Sequence, residues 1–145
     1  MALGSLTLEK MFQNFEVFPE WEDRFRYLID LGRQLPPMDE ALKTEVNRVH
    51  GCMSQVWFVI KPAEEGSGKI DFLASSDAHI VKGLIAVLWI ACAGKTAEEI
   101  QTLDLEGVFG RLGLESQLSI NRRNGFYAMV KRLRELARET AGGKK

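Results

Sequence analysis

Cys52 is the residue whose type and neighbours best suit covalent chemistry in this sequence. It follows Gly51, and Arg48 and His50 lie shortly before it in a polar stretch. A cysteine reacts as its thiolate, and nearby positive charges lower the thiol pKa from about 8.5. Gly51 has no side chain, so a second molecule can approach the sulfur closely. The pattern predicts an accessible, reactive cysteine; the alternative is a small apolar residue at the start of a strand.

A second cysteine and two histidines leave other sites open. Cys92 lies in an apolar run, where burial raises the thiol pKa, so we predict that it is inert. A disulfide between Cys52 and Cys92 needs a proximity that sequence does not reveal. A hydrolase triad is conceivable from Cys52, either His50 or His79, and Asp77, although Asp77 also suits a helix cap. No C-x-x-C or H-x-x-x-H pair brings two ligands together, so we expect no metal site.

Two adjacent cations, Arg122 and Arg123, open the last predicted helix. The amino end of a helix already carries partial positive charge, so two cations are unfavourable there. An anionic partner group, a carboxylate of the fold or a persulfide held nearby would compensate, and screening by solvent is the alternative. We therefore expect an anionic group near Arg122 unless solvent alone stabilises it.

Length and composition describe one globular domain over residues 1–145, in which residues 142–145 form a flexible tail. The 145 residues are 46% hydrophobic and 27% charged, and the net charge of −1 disfavours nucleic-acid binding. Residues 122–145 are nevertheless basic, with eight Lys and Arg against two Glu. The longest apolar run, residues 83–94, is too short to span a membrane. The start resembles no signal or transit peptide, so we expect a cytoplasmic protein.

The periodicity predicts two opening helices, a hairpin and then several helices. Apolar spacing indicates a helix over residues 7–15, and a second helix with Pro19 in its first turn and Gly32 at its end. Residues 38–51 read as an exposed connection. Residues 54–61 and 69–75 read as the two strands of a hairpin, joined by a turn at residues 64–68. This order predicts an α+β fold, a small antiparallel sheet covered by helices.

The later helices are indicated by caps and apolar stripes. Residues 80–93 are apolar on nearly all sides, as in a helix between a sheet and other helices. Thr96 and Glu99 have the spacing of a capping box, and Asp104 and Ser119 are candidate caps of two more helices. In the last helix the apolar stripe comprises Phe126, Met129, Val130, Leu133, Leu136 and Ala137.

Three segments together strongly resemble the SufE family of sulfur-acceptor proteins. They are NRVHGCMSQVW at 47–57, SDAHIVKGL at 76–84 and NRRNGFYAM at 121–129, in the order and spacing of the family. The opening WEDRFRYLIDLG at 21–32, followed by Leu35 and Pro36, looks like the family's amino-terminal region. The resemblance covers nearly the whole chain and implies an α+β fold like that of the IscU iron–sulfur scaffolds, with one working cysteine.

The resemblance also implies a function. Cys52 would accept persulfide sulfur from a pyridoxal-phosphate (PLP) cysteine desulfurase, SufS-like or CsdA-like, stimulate that enzyme and pass sulfur to a SufBCD-like iron–sulfur scaffold. The PLP would belong to the desulfurase, so the chain would be an accessory carrier without a cofactor, not an enzyme. Asp77 and Arg122 match positions near the family's cysteine loop, and we expect them, with Gly51, Arg48 and His50, to support Cys52. A Cys-His hydrolase and a binding-only adaptor of the desulfurase are the alternatives.

Overall fold

Six α-helices and one two-stranded sheet make up the residues that this computed structural model describes, 5–63 and 68–142. Two short 3-10 turns, Glu40–Leu42 and Leu114–Ser116, connect longer elements. The helices are α1 (Leu8–Val17), α2 (Trp21–Arg33), α3 (His79–Cys92), α4 (Ala97–Thr102), α5 (Leu105–Arg111) and α6 (Ile120–Gly142), and the strands are β1 (Val56–Pro62) and β2 (Ile70–Ser76). The α+β fold predicted from the sequence is confirmed, and none of the helices in these ranges is long and apolar enough to cross a membrane.

The two strands form the predicted antiparallel hairpin. Phe58 pairs with Ala74, and both side chains are buried, whereas Asp71 on β2 is exposed. One face of the hairpin therefore packs on the core, because successive side chains of a strand point to opposite faces. Most of the predicted connecting turn, residues 64–67, lies outside the described residues.

Helix α3 is the centre of the core, packed between β2 and α2. Gly32 and Gly83 allow this contact, because a Cβ on Gly83 would lie 2.5 Å from the carbonyl oxygen of Leu28. Our prediction that Gly32 ends α2 is wrong: it is a buried residue inside the helix, which continues to Arg33. The predicted position of Pro19 is also wrong, since it precedes the capping residue and lies outside the first turn of α2.

Residues 38–51 are not simply an exposed connection. Val49 is 1% exposed, and its N–H donates to the carbonyl of Val56 at 2.8 Å. The N–H of Phe58 donates to the carbonyl of Asn47 at 2.9 Å, so this segment lies along β1. Periodicity missed this pairing because the segment is too short to show an alternating pattern.

The predicted caps are mostly confirmed by side-chain hydrogen bonds. Such bonds are made by Thr7, by the Thr96–Glu99 capping box, by Asp104 and by Ser119. Asp77 is the exception, because α3 begins after Ala78 without a side-chain cap. The predicted stripe of α6 is buried against the core except for half-buried Leu136, and Gly142, the first residue of the predicted tail, is the last residue of α6.

Candidate functional site

Cys52 lies at the tip of the loop that joins the segment along β1 to β1 itself. Its side chain is half-buried and free of any disulfide. The Sγ–H group donates to the backbone carbonyl of Gly125, in the second turn of α6, with 3.5 Å between sulfur and oxygen. A thiol 73 residues away in sequence is thereby held against the helix that packs on β1.

Gly51 adopts a backbone conformation that other residues avoid. Its φ is +93°, in the left-handed region that favours glycine. A Cβ built on Gly51 would lie 3.1 Å from the Cβ of Ala128 on α6. Both the turn and the close approach to α6 therefore require glycine before the thiol.

A cavity of about 280 Å³ opens beside the sulfur. Its floor is apolar, and its rim contains the polar groups of α6 and the residue preceding that helix. The residues lining it besides Cys52 include Val81, Leu84, Phe126 and Met129 on the floor, and Ser119, Asn121 and Arg122 on the rim. Met53, which follows the thiol, also lines it and is 79% exposed. The space is larger than one added sulfur atom requires and is open to a second molecule.

The pKa of Cys52 is raised, contrary to the sequence-based prediction that its neighbours lower it. Burial of the thiol is the larger influence and disfavours the charged thiolate. The positive charge of Arg48 lowers the pKa, as the sequence suggested, but by less. In this conformation the thiol is therefore protonated and protected rather than activated.

Asp77 holds the far end of the cysteine loop. Its carboxylate Oδ1 accepts the backbone N–H of Gln55 at 3.0 Å, and its own N–H donates to the Gln55 carbonyl at 3.2 Å. The Ser76 hydroxyl donates to the same carbonyl at 2.7 Å. Sequence reasoning missed Ser76, since no local pattern marks a hydroxyl that bonds to a residue of another element.

Arg48 and His50 are joined by Glu45 instead of by the thiol. His50 is 73% exposed and lies 3.3 Å from a Glu45 oxygen, and Arg48 lies 3.9 Å from the other. His79 is also exposed, at the start of α3. Within residues 5–63 and 68–142 neither imidazole is hydrogen-bonded to Cys52, so the hydrolase alternative lacks its general base in this conformation.

Arg122 lies on the cavity rim with an exposed side chain. Its backbone N–H donates to the Ser119 hydroxyl at 3.2 Å, which caps α6. No carboxylate of the described residues lies within ion-pair distance of Arg122 or Arg123, and the buried Nε of Arg123 has no hydrogen-bond partner there. The carboxylate that would compensate these cations is therefore absent from the part of the fold that the structure describes.

Cys92 differs from Cys52 in every relevant property. It is 2% exposed at the end of α3, and burial raises its pKa to about 12. It is therefore inert packing, as predicted, and both cysteines are free thiols. Among the described residues no group of three or more His, Cys, Asp or Glu side chains is placed to hold a metal ion.

Comparison with known proteins gives the family. The family model described as "SufE: Fe-S metabolism associated domain" matches residues 9–137. A SufE-like protein of Rhizobium etli is 43% identical over 136 residues, which cover 93% of this chain and 92% of that protein. The sulfur acceptor protein CsdE of Escherichia coli is 40% identical over 125 residues, covering 86% of this chain and 84% of CsdE.

A solved structure gives independent support for the fold. The solution structure of a hypothetical protein from Thermus thermophilus superposes with a TM-score of 0.73 at 24% identity, covering 92% of this chain and 94% of that one. The sequence matches, which span the three segments around Cys52, Asp77 and Arg122, agree with this fold. The chain belongs to the SufE family.

Proposed function

We propose that this chain is a sulfur acceptor, loaded at Cys52 by a PLP-dependent cysteine desulfurase. The observation that carries the proposal is a single half-buried free thiol at a loop tip beside an open cavity, with neither histidine hydrogen-bonded to it. The family and the name of the CsdE relative support the same role. The chain is then an accessory protein, and the PLP chemistry belongs to its partner.

The transfer is a thiol exchange on sulfane sulfur. The Cys52 thiolate attacks the terminal sulfur of the donor persulfide, and a new S–S bond forms at Cys52. The S–S bond of the donor breaks, and its cysteine leaves as a thiolate, while the proton of the terminal sulfur stays on the transferred atom. No external oxidant or reductant is needed, because one S–S bond replaces another. Removal of this sulfur frees the desulfurase for its next turnover, which accounts for stimulation.

The supporting residues act on the loop and its surroundings. Gly51 permits the turn that presents the sulfur, and Asp77 anchors the loop through Gln55. Arg122, exposed on the cavity rim, offers a positive charge to a persulfide anion or to an acidic group of the partner. A second exchange of the same type then passes the sulfur from Cys52 to an iron–sulfur assembly scaffold.

Mass spectrometry after incubation with a cysteine desulfurase and cysteine tests the proposal. We expect an adduct of about 32 Da, one sulfur atom, on Cys52. Cys52→Ser is expected to abolish both the adduct and the stimulation of the desulfurase, and Cys92→Ser is the matched control that keeps both. Stimulation that survives Cys52→Ser would favour a binding-only adaptor and overturn the carrier role.

A further inference from the structure

Two small residues of α6, Gly125 and Ala128, form the surface on which the cysteine loop lies; we call them the α6 seat. They are three positions apart and therefore neighbours on one side of the helix. A Cβ on Gly125 would lie 3.6 Å from Sγ of Cys52, and a Cβ on Gly51 would lie 3.1 Å from that of Ala128. A longer side chain at position 128 would occupy space that the loop now fills.

The seat also supplies the hydrogen-bond acceptor of the thiol. Sγ of Cys52 lies 3.5 Å from the carbonyl oxygen of Gly125. A carbonyl oxygen accepts a proton from S–H, but it has no proton to offer a thiolate, whose negative charge it repels. Hydrogen bonding to the neutral form of a group disfavours its charged form, in the same direction as burial.

Charged groups around the sulfur do not reverse this preference. In the loop, Arg48 lowers the thiol pKa by less than burial raises it, and exposed His50 is paired with Glu45. From α6, Arg122 lines the same cavity, and from α3 the lining residues are apolar. At the end of β2, the carboxylate of Asp77 is hydrogen-bonded to the loop backbone.

We propose that the α6 seat keeps Cys52 a neutral, unreactive thiol while the loop lies on the helix. Gly125 and Ala128 are then positioning residues that set how readily Cys52 becomes a nucleophile. When the loop leaves the seat, the sulfur loses the carbonyl acceptor and gains water, and the thiol proton passes to solvent. For its purpose the inference rests on the proposed function, since a thiol activated only on leaving the helix is spared unproductive reactions.

Alkylation of the purified chain by iodoacetamide tests the seat without a desulfurase. Ala128→Ile places a β-branched side chain against Gly51 and is expected to displace the loop. We expect alkylation of Cys52, followed by peptide mass spectrometry, to become about tenfold faster near neutral pH, which corresponds to a thiol pKa lower by about one unit. The midpoint of the pH profile of the rate is expected to fall accordingly.

Two matched variants separate the seat from general loosening. Ala128→Ser keeps a small side chain and is expected to leave the rate unchanged. Thr140→Ile puts the same isoleucine on α6, twelve residues or about 18 Å further along, and is also expected to leave it unchanged. A folded Ala128→Ile protein with the wild-type rate, or an equal increase in Thr140→Ile, would overturn the proposal.

The unaltered chain provides a test if Ala128→Ile does not fold. We expect the pH midpoint of Cys52 alkylation to be higher in the native protein than in concentrated urea, and equal midpoints would refute the seat. Because these assays contain no desulfurase, their failure leaves sulfur acceptance standing. Conversely, absence of the sulfur adduct would remove the proposed function without altering the measured reactivity of the thiol.

Discussion

Gly51→Ala adds one methyl group at the residue before the thiol. At a φ of +93° the alanine side chain costs about 1–2 kcal/mol, because its Cβ crowds the backbone. The methyl would also lie 3.1 Å from the Cβ of Ala128, closer than the optimal carbon–carbon separation of about 3.5–4.0 Å. Both costs belong to the loop as it lies on α6 and are relieved when the loop leaves the helix.

The size of the effect follows from this strain. If about 1.4 kcal/mol is relieved on opening, the population of the open loop rises about tenfold. We therefore expect alkylation of Cys52 to accelerate by about tenfold. The free energy of unfolding, measured in urea, is expected to fall by about 1–2 kcal/mol, or by less where the loop opens to escape the strain.

Gly94→Ala is the matched control for the backbone term. Gly94 has a φ of +73°, and a Cβ built there meets no atom within 4 Å. We expect a similar loss of stability and no change in the alkylation of Cys52. Equal acceleration in the two variants, or an unchanged rate in a folded Gly51→Ala protein, would refute the argument that contact with α6 controls the thiol.

Three further predictions concern the core, the loop anchor and the second cysteine. Gly83→Ala is expected to lower the free energy of unfolding in urea by about 2–3 kcal/mol, because its Cβ would lie 2.5 Å from the Leu28 carbonyl oxygen. Asp77→Ala is expected to speed amide hydrogen exchange at Gln55 by several-fold, because it removes the acceptor of that N–H. Cys92→Ala is expected to reduce the loss of stability between pH 9 and about 12, since the raised pKa of Cys92 lets the unfolded chain lose this proton first, at up to about 1.4 kcal/mol per pH unit.

Each of these three has its own contrary outcome. Gly110→Ala is the control for Gly83→Ala, because the nearest atom to its Cβ is the end of the flexible Glu115 side chain at 3.2 Å; equal stability of the two variants would contradict the packing argument. Unchanged exchange at Gln55 in Asp77→Ala would show that the carboxylate does not anchor the loop. An alkaline slope identical to that of the parent would show that Cys92 does not contribute to it.

The fold was predictable where one segment carries its own signal. The buried stripe of α6 and the capping box of Thr96 and Glu99 are local patterns, and the structure confirms both. Gly32 misled because a glycine near a helix end can either stop the helix or admit a neighbouring helix. Only the position of Gly83 on α3 decides between these, and that contact is tertiary.

The site was predictable in identity but not in electrostatics. The type of Cys52 and its preceding glycine mark the thiol in the sequence, and the positive φ of Gly51 explains that glycine. The predicted direction of the Cys52 pKa is wrong, because sequence shows Arg48 nearby but not the burial against α6 that outweighs it. The helix cap predicted at Asp77 is wrong for a similar reason, since its carboxylate is bound by Gln55, 22 residues earlier.

The anchors of the cysteine loop decide how far the sulfur can travel. On one side the Val49 N–H is bonded to β1, and on the other Gln55 is held by the end of β2, so Cys52 is the midpoint between them. Three residues of fully extended chain span about 10 Å, which limits how far Cys52 can lie from either anchor. The thiol can therefore leave α6 and reach into a partner's cleft while the hairpin and the helices stay in place. Sulfur delivery by this chain then requires rearrangement of only the residues between the two anchors.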